Sequence, residues 1–412
     1  MIQEIRIKNY LSFRDEVVLS FEATKDTTFE ECQVVNVTPK VRLLRFALIY
    51  GANASGKSNL LNAMDFLRDF WFDKKSDIDE ETGVVPFLLD TETPNEPSEF
   101  NIKFFVGDKR YWYALVLDDK QVIKEDLYVY NSVQPSLVFS RELDGTASLI
   151  KLNASLVKAN ATIVEQLNVK CLSNMSFFAA RNQVNCSLAY IDEVRDWMKN
   201  NMMPIIQPGT RMFEYAGKQM EKNVELKAYI LDFVHKADYN ITDVYTEREK
   251  VPIPDNVKAS IMEDKDIPEK AKEKMLADNA LERLRTDFQH TVKNKRGEEN
   301  YRLPNSLQSE GTKRTFGIEA AIYEAIKTNG ILPIDEIESS LHPELVEFII
   351  EKFLKEKSRS QLIVTSHYDP LLNTVDDLIR KDSVWFTEKE KDGHTTLYSL
   401  TDFKGLSKIS SF

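Results

Sequence analysis

An α/β fold, with a mixed sheet that combines a parallel core and an antiparallel meander, is what three observations predict. Apolar runs at Phe46–Tyr50, within Gly330–Leu345 and within Gln361–Leu372 are short enough to be buried strands. The first leads through Gly51, Gly56, Lys57 and Ser58, spaced G-x4-G-K-S, into Leu60, Leu61, Met64 and Leu67 at helical period. Residues 99–130 instead alternate apolar and polar in three stretches separated by Gly107-Asp108 and Asp118-Asp119, the pattern of a meander.

The loop Gly51, Ala52, Asn53, Ala54, Ser55, Gly56, Lys57, Ser58 sets the expected chemistry. Two glycines let the backbone curl so that successive N–H groups point inward, Lys57 reaches the outer phosphates, and the Ser58 hydroxyl is placed for magnesium. The helix amino terminus adds partial positive charge. Chance would give such a spacing in roughly one chain of this size in a hundred. With a strand before it and a helix after it, nucleotide binding is the expectation.

At 412 residues and 42% hydrophobic, the chain can bury a large core, as one domain with an insertion or as two domains. Lys and Arg number 54 against 66 Asp and Glu, a net charge of -12, which argues against a general electrostatic grip on nucleic acid but leaves room for a local basic groove. Cys32, Cys171 and Cys186 are scattered without a C-x-x-C pair, so buried free thiols are expected in place of a disulfide framework or zinc cluster. The start, MIQEIRIKNY, is charged throughout, and no apolar run approaches the length of a bilayer span. A soluble, cytoplasmic protein without a membrane partner is expected.

In chain order, Ile2, Ile5, Ile7 and then Val17, Leu19, Phe21 alternate as two half-buried strands joined at Asn9–Asp15. Tyr10 and Phe13 could pack on an adenine ring, but aromatics at a strand end are more often core, and core is favoured. Asp73–Glu99, acidic and carrying Pro86, Pro94 and Pro97, reads as loop-rich surface. Helical spacing runs from Ala161 to Met203, with Trp197 on the apolar face, and again from Gly217 to Lys236. Thr242–Val251 reads as a strand. Residues 252–300, rich in Lys, Glu and Asp with Pro252, Pro254 and Pro268, read as exposed helices or a partly mobile lobe, without coiled-coil heptads. The expected division is a core of 1–186 and 301–412 with a mainly helical insertion at 187–300.

Asp335 and Glu336 close the apolar strand that begins after Gly330. An acid there can hold the magnesium water shell, and the next can orient or deprotonate attacking water. That makes Asp335 the metal residue and Glu336 the base, against a plainer reading as an acidic helix cap with Glu338 and Glu344 merely solvated. Pro333 lacks a ladder donor, so an unpaired position or a bulge is expected in this strand. Ser366 and His367 end the third strand, where parallel sheets present their ligands, and His367 can reach a terminal phosphate. A lone histidine is usually structural; the two companion strands favour function. Ser309, Glu310, Gly311 and Thr312 precede an amphipathic helix within Ser306–Ile326. With Ser309 as N-cap and Gly311 allowing close backbone approach, this helix start is either a second phosphate site or simply well capped.

The order GANASGKS, a long insertion, SEGT with its helix, LPIDEIESSLHP and TSH resembles the ABC-type ATPase heads of SMC proteins, RecF and the OLD family. The resemblance implies an ABC-type P-loop ATPase head that uses ATP and Mg2+, with two heads sandwiching ATP so that each phosphate loop faces its partner's signature. Carried over, Gly51–Ser58 would be Walker A, Ser309–Thr312 the signature, Asp335 and Glu336 Walker B, and His367 the switch histidine. Glu338 and Ser339 would open the D-loop at the dimer seam, and Gln183 would be the Q-loop glutamine, although it falls in a helical stretch. NYLSFRDEVVLSF, FFAARNQVN and Arg380–Lys404 are similar to the AAA-labelled, ABC-type family that includes RloA-like and PARIS-type defence proteins. Members are commonly encoded beside a separate effector, often a TOPRIM-like or RloB-type nuclease, in systems that abort phage infection. SEGT departs from the transporter-type LSGGQ by one glycine. OLD nucleases continue into a TOPRIM domain, whereas this chain ends about ten residues after Asp402, so a nuclease is expected on another chain.

The leading expectation is therefore an ATPase subunit of an anti-phage system, whose head-to-tail homodimer or larger assembly restrains and releases an effector. A RecF- or SMC-like repair or maintenance ATPase acting directly on DNA is the alternative, distinguished by salt-sensitive DNA binding that changes with ATP. A transporter's nucleotide-binding subunit is a third class, which composition and SEGT argue against.

Overall fold

Period-two alternation in the first third of the chain builds an antiparallel sheet. In this computed structural model, which describes residues 1–145, 147–237, 240–263 and 269–403, β1 (Ile2–Lys8) and β2 (Val17–Ser20) form the expected hairpin. The meander follows as β6 (Ser98–Val106), β7 (Lys109–Leu117) and β8 (Val122–Tyr130), and is extended by β9 (Ser136–Asp144) and β10 (Ala147–Leu152). The sheet order is β10-β9-β8-β7-β6-β1-β2. Alternation does not reveal β9 and β10, because Arg141 and Ser148 are buried polar residues on the inward face. A single turn, α1 (Glu30–Gln33), and a small hairpin, β3 (Val34–Thr38) with β4 (Val41–Leu44), lead onward.

β5 (Phe46–Tyr50) sits inside a second, five-stranded sheet with β14 (Ile331–Ile334), β15 (Gln361–Ser366), β16 (Val384–Lys389) and β17 (Thr395–Ser399), ordered β14-β15-β5-β16-β17. The first four are parallel and β17 is antiparallel. Parallel core and antiparallel meander are thus both present, but they occupy separate sheets: β15 and β16 flank β5 on both sides and leave it no free edge. Pro333 is accommodated because β14 is an edge strand. Its carbonyl accepts from Ile206 N at 3.0 Å, and alternation along the strand puts its missing donor on that same irregular side, away from β15.

α2 (Lys57–Phe70) buries Leu60, Leu61, Met64 and Leu67 in one cluster with Ala47 and Ile49 of β5 and with Ile5, Ile7 and Phe100 of the antiparallel sheet. Each such side chain contributes about 1.5–3 kcal/mol by leaving water, enough to fix the helix that carries the phosphate loop. Tyr10 and Phe13 belong to this core, and Tyr10 meets Phe100 edge-on at 5.2 Å. α3 (Ala161–Lys170), α4 (Phe177–Arg181) and α5 (Ile191–Asn201) fill the helical stretch, with Trp197 stacked on Phe104 at 4.2 Å. The loop-rich segment 73–97 nonetheless buries Val84 and Phe87. Of the three free thiols only Cys171 is fully buried.

The chain divides into two units, 1–209 with 324–339 and 346–412, and 210–323 with 340–345. The second has other boundaries than 187–300 and combines helices with a three-stranded sheet. Its α6 (Met212–Lys222) and α7 (Val224–Lys236) are separate helices where one continuous helix from Gly217 is predicted, because Asn223 caps α7 by accepting from Leu226 N. β11 (Ile241–Pro252) pairs with β12 (Ala280–Asn294), which pairs with β13 (Gly297–Pro304). Only α8 (Asp255–Glu263) and α9 (Glu269–Asp278) match the predicted exposed helices. Charged residues hide β12 and β13 in the sequence: Phe288 is the anchoring apolar side chain, packed with Phe213 and Phe316. α10 (Glu310–Thr328) starts in this unit, and α11 (Pro343–Lys355) buries Val346, Ile349, Ile350 and Phe353. No helix among the described residues is long and apolar enough to cross a membrane.

Candidate functional site

The carboxyl ends of three neighbouring parallel strands lie side by side: Ser366 pairs with Tyr50, and Ile334 with Val364. That register brings the phosphate loop after β5, Asp335 after β14 and His367 after β15 to one end of the sheet, the end where open parallel sheets bind ligands.

Gly51 is buried at the end of β5, while Ala52, Asn53 and Ala54 form an exposed crest before buried Ser55. Ala54 at φ 62° and Gly56 at φ 105° are left-handed, the backbone alternation that creates anion-binding concavities. Both glycines are also required by close neighbours. A Cβ on Gly51 would lie 2.5 Å from Thr387 Oγ1, and one on Gly56 would collide with Thr395 Oγ1. Lys57 is buried, and its Nζ donates to the carbonyls of Gly51 at 2.8 Å and Ala52 at 2.9 Å. Burial pushes its ammonium below the usual lysine range, against the pull of Glu336, Asp335 and Glu338.

Ser58 Oγ donates to Asp335 Oδ1 at 3.1 Å. Thr365 Oγ1 donates to the same carboxylate oxygen at 2.5 Å and accepts from Glu336 N at 2.8 Å. Glu336 has φ 44°, a left-handed conformation that costs a non-glycine residue about 1–2 kcal/mol; the bond to Thr365 holds it there. Ser339 N donates to Glu336 O at 2.9 Å. His367 N donates to Glu338 Oε1 at 2.9 Å, and its Nδ1 lies 2.9 Å from the same oxygen. The hard oxygens of Ser58 and Asp335, one hydrogen bond apart, fit magnesium, which completes its shell with water and phosphate oxygens. Among the described residues no group of three or more His, Cys, Asp or Glu forms an all-protein metal cage.

The second unit carries the other predicted segment. Ser309 Oγ accepts from Thr312 N at 3.0 Å, so Ser309 is the N-cap, and Glu310, Gly311 and Thr312 form the first turn of α10 where they were expected to precede it. The close approach at Gly311 exists, but a backbone carbonyl of the same chain makes it: a Cβ there would lie 2.6 Å from Ser340 O. Gln183 lies in the turn after α4, its side-chain amide 3.5 Å from Ala179 O.

Sequence reasoning missed the supports of the site. Thr365 was visible only as the residue before Ser366-His367. Thr387 Oγ1 lies 2.6 Å from Ser55 Oγ, Thr395 Oγ1 donates to Ser55 O at 2.9 Å, and Ser12 Oγ accepts from Asn59 at 2.9 Å. These hydroxyls come from remote strands and hairpins, and no local pattern marks them.

Comparison with curated proteins finds no match. Among solved structures the chain is similar to an SMC head domain from Thermotoga maritima, at 13% identity and TM-score 0.46, covering 97% of this chain and 98% of that one. It is also similar to an SMC head bound to the C-winged helix domain of ScpA (14%, TM-score 0.45, 97% of each chain) and to an Smc head with an extended coiled coil bound to the C-terminal domain of ScpA derived from Pyrococcus furiosus (14%, TM-score 0.39, 97% of each). A family model described as "AAA domain, putative AbiEii toxin, Type IV TA system" matches residues 46–151 and 210–373. That match takes in the loop from Gly51, the segment from Ser309 and the strands that end at Asp335 and His367, and it covers most of the chain, which belongs to this AAA domain family.

Proposed function

We propose that this chain is an ABC-type ATPase that binds ATP with Mg2+, hydrolyses it to ADP and phosphate, and acts as the regulatory subunit of a cytoplasmic phage-defence system. The observation that carries the enzymatic part is the triad of contacts at the sheet end: Ser58 on Asp335, Thr365 on the same carboxylate, and Lys57 folded onto the loop carbonyls. Mg2+, when bound, neutralises charge on the phosphate oxygens. Ser58 and Asp335 would hold it. Lys57 exchanges its two carbonyl partners for phosphate oxygens, Glu336 accepts a proton from the attacking water, and His367 meets the terminal phosphate.

In this reading two copies associate head to tail, and Ser309–Thr312 of one faces the loop of the other. Ser309 leaves its side chain exposed at a helix start, where an anion is favoured. The family description names a toxin of a toxin–antitoxin system, which supports a two-component role with a separately encoded effector, in our reading a TOPRIM or RloB-type nuclease. DNA remains the ligand of the competing repair reading.

The test is complementation. Lys57→Ala and Ser309→Arg each abolish steady-state ATP hydrolysis alone, and mixing the two restores part of it through one intact composite site. No recovery on mixing refutes the shared site, and no hydrolysis by the wild type refutes the ATPase. Co-purification with the neighbouring gene product tests the effector, and its absence there removes the defence assignment.

A further inference from the structure

Glu338, which the resemblance sets at a dimer seam, has a different partner within its own unit. Its Oε1 accepts from the backbone N of His367 at 2.9 Å, and the ring's Nδ1 lies 2.9 Å from the same oxygen. Its side chain is 12% exposed against 44% for His367, so the carboxylate is the fixed member and the imidazole the presented one. The backbone bond and the close approach of Nδ1 to one oxygen set the ring's position relative to the end of β15. They also fix its chemistry. An unprotonated Nδ1 would set its lone pair against a carboxylate oxygen at 2.9 Å, so the approach favours a proton on Nδ1 and leaves Nε2 to meet another group. The remaining oxygen, Glu338 Oε2, is buried and has no hydrogen-bond partner among the described residues, so the one recorded hydrogen bond to this carboxylate comes from His367.

We infer that Glu338 is a positioning residue that acts through His367, locking the Nδ1–H form of the ring so that Nε2 is the atom offered to the terminal phosphate. The inference rests on the ATPase reading above. It assigns Glu338 to its own chain's histidine in place of the partner copy. The logic is that of an acid behind a histidine, in which the hydrogen bond at one ring nitrogen decides what the other can do.

Two readouts test it. In nucleotide-free protein labelled with 15N-histidine, His367, identified among the five histidines by its loss in His367→Gln, shows the proton on Nδ1. Glu338→Ala returns it to the Nε2–H form preferred by free imidazole. In steady-state assays Glu338→Ala and His367→Ala each lower kcat by about 10- to 100-fold with little change in KM. The double variant is no worse than the single ones, and Glu338→Gln, whose amide oxygen still accepts, keeps most of the activity. An Nε2–H ring in the wild type, or losses that multiply in the double variant, overturns the inference while the ATPase reading stands. A wild type with the Nδ1–H ring that never turns over ATP overturns the reading of the site, and the positioning role with it.

Discussion

Thr395 Oγ1 donates to the Ser55 carbonyl at 2.9 Å, tying the far end of the chain to the centre of the phosphate loop. The same hydroxyl lies 2.8 Å from Ser12 Oγ, and Thr395 N donates to Ser12 O at 2.7 Å. The loop is therefore backed by a hairpin more than three hundred residues away in sequence.

Removing that hydroxyl should loosen the loop. Thr395→Val keeps the shape but leaves a buried carbonyl unpaired, at a cost of about 1–3 kcal/mol. The expected result is a lowered melting temperature and weaker nucleotide binding, with Thr395→Ser close to wild type. Equal ATP affinity in Thr395→Val would show that the loop holds its form without the hairpin.

Lys57 and Glu336 should separate binding from chemistry. Lys57→Ala removes the cation that neutralises the phosphates, so ATP affinity falls. Glu336→Gln leaves binding intact and lowers kcat by about 100-fold or more, with ATP-bound dimer accumulating in size-exclusion chromatography. Wild-type turnover in Glu336→Gln excludes it as the base.

Stability of the antiparallel sheet depends on a pair with no solvent exposure, Glu125 and Arg141, 3.1 Å apart. Glu125 also accepts from Tyr113, Ser176 and Phe177 N, while Arg141 donates to the carbonyls of Leu172, Ser173 and Met175. Glu125→Ala leaves an uncompensated buried cation and should destabilise by about 3–5 kcal/mol. Urea unfolding followed by tryptophan fluorescence measures it, since Trp71 packs on Tyr113 at 5.8 Å. A loss below about 1 kcal/mol would mean water reaches Arg141.

Asp392 carries a pH signature. His394 first, and then Arg14, hold its carboxyl down to about 2. A carboxylate depressed on folding stabilises the protein above its ordinary range, and the effect fades as pH falls through the folded value. The pair is exposed, so the effect is small. The gap in melting temperature between wild type and Asp392→Asn should be widest near about pH 6 and narrow by about pH 3. A gap that does not change with pH would assign the difference to packing.

Ser309 shows how structure changes the design of a test. Its hydroxyl caps α10 through Thr312 N, so Ser309→Arg, chosen to block association, also removes a cap worth about 1 kcal/mol. Its melting temperature must be measured beside its activity.

The sequence by itself determined the parts whose signal is local. G-x4-G-K-S, the period of α2, the hairpin from Ile2 and the acids after Ile334 are each written within a few residues, because backbone curl, helical period and strand alternation are short-range properties. Tertiary structure decided everything that depends on which strand lies beside which. The meander forms its own sheet because β5 is flanked on both sides. Asp335 receives Ser58 and Thr365 because β14, β15 and β5 are in parallel register, and β12 and β13 are strands because Phe288 anchors a charged ribbon. Hydroxyls such as those of Thr365 and Thr395 carry no pattern of their own, and their roles exist only once folding brings an acceptor within about 3 Å.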